Sequence, residues 1–318
     1  MGKLFAGTMM TLLMLCRPEA AANGAREGLR QWYFVVAPSL YPFMALTPLM
    51  TCREATRLYD AALGGVMRGL FGLPGSAASP MIVGMIAGSP AGCLAARSVA
   101  REGGFTRGQL ARVAVACCGL SPAFFISAVG AGMLGDVAAG HLLLRSQLIA
   151  QIVMLGLTRR FCRDDTPVEI ADAGAAVDPV LSIIKVAGYM ALFGAVAGAL
   201  NLPWTQIALD VTAGSRYICA MNIGSAWKLP ALSALAGYGG LCVCAQNIGV
   251  LRGCGVNPVK FVLARCLAGA LAAGLTALQM RIDWTEISAN HSEIISISCI
   301  FAVFLTLPAL FRLKKTIF

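Results

Sequence analysis

Long apolar runs separated by short polar segments recur along this chain, at residues 4–16, 32–50, 113–134, 141–157, 180–200, 229–251, 261–279 and 294–310. Runs of about 17 to 25 apolar residues match the length a helix needs to cross a bilayer. The run at 4–16 is shorter; with Lys3 before it and Arg17, Pro18 and an Ala-rich stretch after it, it also resembles a signal peptide. A second span follows rather than a secreted domain, which favours a retained first helix; a lipobox at Cys16 lacks its small residues, Met14-Leu15 standing there. Helix breakers interrupt the pattern at four places: Gly88-Ser89-Pro90-Ala91-Gly92, Gly119-Leu120-Ser121-Pro122, the polar stretch Asp210 to Arg216, and Gly237-Tyr238-Gly239-Gly240. Proline removes an amide donor and clashes with the preceding turn, and in lipid every freed backbone group needs a new partner. Such breaks persist only where protein or a polar cavity supplies one.

Positive charge sets the topology. Arg53, Arg57 and Arg68 mark a basic amphipathic connector at 52–73, and Arg97, Arg101, Arg107 and Arg112 flank the segment that begins near Pro74. With both flanks on the cytoplasmic side, that segment enters, turns at Gly88–Gly92 and returns as a re-entrant hairpin. The span at 113–134, broken at Ser121-Pro122, then leads outward, 141–157 returns, and Arg159, Arg160 and Arg163 hold that end inside. An acidic segment with Asp164, Asp165, Glu169, Asp172 and Asp178 reads as a cytoplasmic linker. Residues 205–226 read as a second hairpin, entering from outside. The span at 229–251 returns and 261–279 goes out. A loop with Asp283, Glu286 and Glu293 stays out, and Arg312, Lys314 and Lys315 place the C-terminus inside.

The expected fold is therefore an all-α polytopic membrane protein, two inverted repeats with about eight transmembrane helices plus two re-entrant helical hairpins. Its parts are an N-terminal membrane helix and external loop at 1–30, a first repeat at 31–163, a linker at 164–179, a second repeat at 180–280, and a C-terminal membrane helix with a basic tail at 281–318. Arg17 to Arg30 fits its external assignment poorly, carrying three arginines to two glutamates.

Composition agrees: 58% of the 318 residues are hydrophobic, 13% are charged, and the mean hydropathy is +0.75. A net charge of +10 scattered through short loops is the positive-inside bias rather than a nucleic-acid footprint. The 12 cysteines sit mostly inside apolar runs as small packing residues. Neither they nor the two histidines, His141 and His291, form a metal-ligand pattern or a nucleophile–base pair. No metal, no other cofactor and no enzymatic activity is expected.

Hairpin tips and broken spans meet near the bilayer midplane in such folds, where helix N-termini present unpaired amides. The candidate substrate-binding residues are Ser89, Pro90, Gly92, Ser121, Pro122 and Phe124 in the first half. In the second half they are Thr212, Gly214, Ser215, Arg216, Gly239, Gly240 and Gln246. The glycines and serines read equally well as helix-packing residues, and Gln246 as glue between helices. Arg216 and Asp210 carry charge at membrane depth, which marks function by default. Arg216 beside helix N-termini would suit a carboxylate, and Asp210 would couple an ion or hold Arg216 in place. Mutual neutralisation of the two is the plainer reading, although six residues is a poor helical spacing.

The order of Gly88-Ser-Pro-Ala-Gly92, Ser121-Pro122-Ala-Phe124, Asp210-Val-Thr212-Ala-Gly214, Gly237-Tyr-Gly-Gly240 and Gln246 resembles the YlbJ (SpoVV) family of sporulation integral membrane proteins. That family belongs to the nucleoside-recognition "Gate" group related to concentrative nucleoside transporters. The similarity extends from about Trp32 to Gln279. It implies movement of dipicolinic acid from the mother cell towards the forespore, by alternating access, in the bacterial cytoplasmic membrane or the outer forespore membrane. The implied partners are a small anionic or nucleoside-like substrate, the lipid bilayer, a proton or sodium as coupling ion, and a second copy of the chain, with no nucleic acid. The family's first motif usually reads Gly-Tyr-Pro-x-Gly-Ala-Lys, where this chain has Ser89, Cys93 and Leu94, and its usual Glu is Asp210 here. Loss of the lysine removes one anion contact. The alternatives are a nucleoside-type transporter and a non-transporting scaffold for spore-envelope assembly.

Overall fold

The computed structural model describes residues 2–160, 164–168 and 178–281. Among these the chain is helical, the single extended feature being an isolated bridge between Thr106 and Pro167. The first half holds α1 (Gly2–Cys16), α2 (Pro18–Gln31), α3 (Ala37–Met50), α4 (Arg53–Val66), α5 (Ala78–Ile86), α6 (Ala91–Arg101), α7 (Arg107–Cys117), a wide-turned helix Phe124–Leu134, and α8 (Val137–Leu157). The second holds α9 (Pro179–Leu200), α10 (Pro203–Leu209), α11 (Val211–Ala220), α12 (Ser225–Tyr238), α13 (Gly240–Val250) and α14 (Pro258–Arg281).

Five helices are long and apolar enough to cross a membrane, or six if the bent pair Arg53–Phe71 and Gly75–Ile86 counts as one span. Four of the expected crossings correspond to α8, α9, α12–α13 and α14, and a fifth to the continuous run Pro18–Met50. The broken span at 113–134 is divided between α7 and Phe124–Leu134, each 11 residues long and too short to qualify alone. The crossing at 294–310, its acidic loop, the basic tail and most of the linker lie outside the described residues. Arg53–Phe71 forms the expected basic connector, and the chain turns 105° from it into the first hairpin.

Residues 17–30 are not the loop expected from their charge. They form α2, which runs through Trp32–Val36 into α3. Its polar residues lie on a strongly amphipathic helix whose small face packs on α9. Gly24 and Gly28 meet Gly194 and Gly198, so closely that a Cβ on Gly24 would fall 2.1 Å from the Gly194 carbonyl oxygen and one on Gly198 2.2 Å from that of Ala20. Two small-xxx-small stripes thus face each other, the arrangement by which helices pack backbone to backbone in lipid. In α3 the prolines Pro42 and Pro48 interrupt the ladder, and the hydroxyls of Thr47 and Thr51 bond carbonyls one turn earlier at 3.1 and 3.0 Å.

Arginines close helix ends. Buried Arg112 donates through Nη2 to the carbonyls of Phe71 and, at 3.2 Å, Leu155, while Arg97 reaches Val250 at 2.6 Å. Cations suit the negative ends of helices. Arg112→Met is expected to leave two buried carbonyls without these donors, at about 1–3 kcal/mol apiece. Lower thermal stability in detergent, with the helical circular-dichroism signal retained at low temperature, is the expected outcome. The linker residues 164–168 are tied to the same region: the amides of Arg107 and Gly108 donate to Thr166 and Asp164 at 2.9 Å each. The hydroxyl and amide of Thr166 hold the exposed Asp164 carboxyl below the usual carboxylate range.

After its first long helix, and in the first half after the connector α4 as well, each half presents two short helices about a break, a helix broken in its middle, then an unbroken span. The hairpins are α5–α6 and α10–α11. The broken helices are α7 with Phe124–Leu134, and α12 with α13. This succession positions the site.

Candidate functional site

Each hairpin break is docked on the break of the following helix. In the first half, Gly88 has φ +76° and its α-carbon faces Leu120 and Ser121, where a Cβ would lie 2.6 Å from the Ser121 nitrogen. The Ser89 amide donates to the Gly119 carbonyl at 2.7 Å, and Ser89–Pro90 is cis. The freed backbone of one break is thereby satisfied by the other. In the second half, Gly240 meets the chain at Leu209, Asp210 and Val211 in the same manner, a Cβ there lying 3.0–3.2 Å from their backbone atoms.

Asp210 stands at the second tip. Its Oδ1 accepts from the amides of Thr212 and Ala213, both at 2.9 Å, as the N-cap of α11. The two halves are bridged by Asn247 of α13, whose amide nitrogen donates to the hydroxyl of Ser89 and to the Val243 carbonyl. Gln246 donates instead to the sulfur of Cys242 at 3.2 Å.

These breaks line a small cavity of about 50 Å³. Ser89, Ser121, Phe124, Asp210, Thr212 and Gln246 line it, so six of the residues singled out by sequence converge. Four helices and one break contribute residues that the sequence reading missed: Val36, Ser39 and Leu40 from the first long helix, Val186 and Met190 from α9, Val211 from α11, Val243 from α13, and Leu120 from the break before Ser121. Ser39, between Pro38 and Pro42, carried a readable signal, since a hydroxyl among prolines in an apolar run serves freed carbonyls; it bonds Val35 at 2.7 Å. The volume accommodates a few water molecules at most, whereas small-molecule sites span hundreds of Å³. The breaks are closed on one another.

Asp210 and Met190 also line a second, open cavity of about 550 Å³ between α2, α9, α10 and α11. Its polar wall comprises Glu27, Gln31, Asn201, Gln206, Arg216 and Tyr217. Arg216 is therefore placed differently from its expected position at the hairpin tip. It pairs neither with Asp210 nor with an exposed helix N-terminus; its Nη1 lies 2.7 Å from Oε1 of Glu27, both side chains about half exposed. Asp210 is occupied by its cap. The reason is helical geometry: six residues along α11 put Arg216 more than one and a half turns beyond the cap, and α2, read as a loop, supplies the acid.

The remaining candidates have packing positions. Pro90 and Pro122 start or precede helices at the two breaks of the first half. Gly92 sits where α6 crosses Gly84 and the Cys117 carbonyl, Gly214 against Ile207 and Leu235, and Ser215 is buried. Gly239 caps α12.

The N-cap and charge of Asp210 separate experimentally. Asp210→Ala removes a cap worth about 1 kcal/mol and lowers the melting temperature, whereas Asn caps about as well as Asp. Asp210→Asn is therefore expected to melt close to the wild type; any functional loss in it reports the charge.

No family model matches this sequence. The chain is 23% identical over 321 aligned positions to the sporulation integral membrane protein YlbJ of Bacillus subtilis strain 168, covering 83% of this chain and 78% of that protein. No solved structure matches. The resemblance drawn from the ordered motifs thus extends over most of both chains, as a distant one.

Proposed function

We propose that this integral membrane protein, a distant relative of YlbJ, carries a small metabolite across the membrane by alternating access. The observation that carries this reading is the docking of each hairpin break on its own broken helix, with both pairs facing one mostly apolar cavity into which Ser89, Ser121, Asp210, Thr212 and Gln246 bring polar groups. Backbone irregularity at membrane depth belongs where a substrate pathway needs it. The halves run in opposite orientations as inverted repeats, the N- and C-termini lie in the cytoplasm, and movement of the hairpins opens the cavity alternately to either side. The wide cavity at Arg216 and Glu27 serves as the vestibule of one side, joined to the inner cavity through Asp210 and Met190.

The substrate class is a small anionic or heteroaromatic molecule, with dipicolinic acid as the specific candidate. The chain moves it from the mother cell towards the forespore, as a carrier without cofactor and not as an enzyme. Asp210, whose cap bonds go to Oδ1 and travel with the second hairpin, is the group proposed to take a proton or sodium ion. A non-transporting scaffold is the second reading, favoured by the small volume of the inner cavity.

Uptake of labelled dipicolinate into proteoliposomes, with uridine as competitor, tests the proposal. Dipicolinate flux that Asp210→Asn abolishes without loss of melting temperature supports it. Flux of uridine alone keeps the carrier and removes the substrate; no flux of either under proton or sodium gradients favours the scaffold.

A further inference from the structure

We infer that Arg265 is an anion seat, a guanidinium fork that receives the carboxylate of the solute when the first hairpin withdraws from the broken helix beside it. This inference rests on the transport reading and deepens it. Arg265 lies within α14 and is 1% exposed, the largest of the fully buried side chains. Its Nη1 donates to the Val115 carbonyl at 3.2 Å, near the end of α7. The opposite edge of the guanidinium, Nε and Nη2, is buried and has no hydrogen-bond partner among the described residues. Those two N–H groups point the same way at the spacing of carboxylate oxygens, the geometry in which arginine binds an acid bidentately. A buried charge left half-satisfied is costly, and arginine inside an apolar span marks a functional pathway by default.

A second observation points to the same place. Gln151 of α8 is 2% exposed, and neither its amide nitrogen nor its oxygen has a partner among the described residues. Its amide group presses on Gly119, where a Cβ would lie 1.6 Å from Nε2. The stretch Val115 to Gly119, which ends the first half of the broken helix, is thus flanked by a fork and an amide that nothing uses. No carboxylate pairs with Arg265 among the described residues.

The seat connects with the inner cavity. The sulfur of Cys118 lies 3.5 Å from the hydroxyl of Ser89, and Ser89 lines that cavity together with Leu120 and Ser121. Cys118, three residues beyond the Val115 carbonyl that Arg265 holds, and Ser89 form a wall where this end of α7 meets the cavity, and Ser89 belongs to the hairpin tip. Withdrawal of the tip removes half of the wall. An anion would gain the fork only in the opened conformation, so its binding energy favours opening. Arg216, already held by Glu27, is the weaker candidate for this role.

The test uses the full chain in detergent with benzoate as the anionic probe and benzamide as its uncharged counterpart, binding being read by calorimetry. Wild type is expected to bind benzoate at least tenfold more tightly than benzamide. Arg265→Gln is expected to lose that preference, and Arg265→Lys to recover part of it, since an ammonium keeps the charge without the fork. Should Arg265→Gln fail to fold, alkylation of Cys118 in the wild type by N-ethylmaleimide, followed by mass spectrometry, provides the reading: benzoate, by favouring the opened conformation that uncovers Cys118, speeds it at least threefold and benzamide does not. Equal binding of the two probes by wild type, a preference that survives in Arg265→Gln, or Cys118 alkylation indifferent to benzoate overturns the seat. Intact dipicolinate flux with any of these outcomes leaves the transport reading standing; a benzoate preference lost in Arg265→Gln, without flux of any solute, overturns transport and leaves the seat.

Discussion

Gly88→Val is expected to abolish solute flux and to lower the melting temperature more than any other substitution at the hairpin tips. Two costs combine. At φ +76° a β-branched residue occupies a left-handed conformation that disfavours L-residues by roughly 1–2 kcal/mol, more when the side chain is branched. Its Cβ would also stand 2.6 Å from the Ser121 nitrogen, on backbone that cannot rotate away. Relief requires the tip to lift from the broken helix, which breaks the bond from the Ser89 amide to Gly119. The inner cavity then loses the wall that closes it. Thermal unfolding in detergent and proteoliposome flux are the measurements; wild-type flux in a folded variant would mean that the closed tip has no part in transport.

Gly194→Leu is expected to have the second largest effect, this time on stability. The Cβ alone would lie 2.4 Å from the Gly24 carbonyl oxygen, and Gly28 follows on the same stripe. Helices that pack backbone to backbone cannot admit a branched side chain without separating, and overpacking costs about 1–3 kcal/mol even in adaptable cores. Separation of α2 from α9 would also disturb the ion pair of Glu27 with Arg216 and widen the vestibule. A drop in melting temperature together with protease sensitivity near residues 17–31 is the predicted result. Gly156, which has nothing within 4 Å of its Cβ position, provides the control: Gly156→Leu should leave the melting temperature nearly unchanged.

These expectations show which parts of the structure the sequence exposes. Proline and glycine in apolar runs have one physical meaning, a ladder that must be repaired elsewhere. The breaks at Gly88–Pro90, Ser121–Pro122, Asp210 and Gly239 were therefore legible, and with them six residues of the inner cavity. The helix α2 was not legible in the same way. Its two glutamates, Glu19 and Glu27, and two arginines, Arg26 and Arg30, with Arg17 just before it, look like a loop until the four within the helix are placed on one side, the other side being Ala and Gly. That error also hid the partner of Arg216, because Glu27 is 189 residues away and nothing local announces it.

Arg265 shows a different failure. A lone arginine within the apolar run at 261–279 is a signal in its own right, but it stands at no helix break, and which carbonyl it meets depends on the helix opposite. Asn247 and Gln151 belong to the same class. Their meaning depends on which helix lies opposite, a tertiary fact that hydropathy does not encode. Span count suffers likewise: α7 and Phe124–Leu134 are each too short to qualify, so a broken crossing is invisible to any rule of length.

Release of the first hairpin from the broken helix is the central motion proposed here, and Ser89→Cys tests it directly. The introduced thiol would face Cys118, whose sulfur is 3.5 Å from the present hydroxyl. Oxidation should then staple the tip to the break, with the wild-type chain under the same oxidant as control for its own cysteines. In proteoliposomes, dipicolinate flux of the variant is predicted to fall at least tenfold on oxidation and to return on reduction, while the wild type changes little. A crosslink between residue 89 and Cys118 that is complete by mass spectrometry, with flux unchanged, would contradict the account.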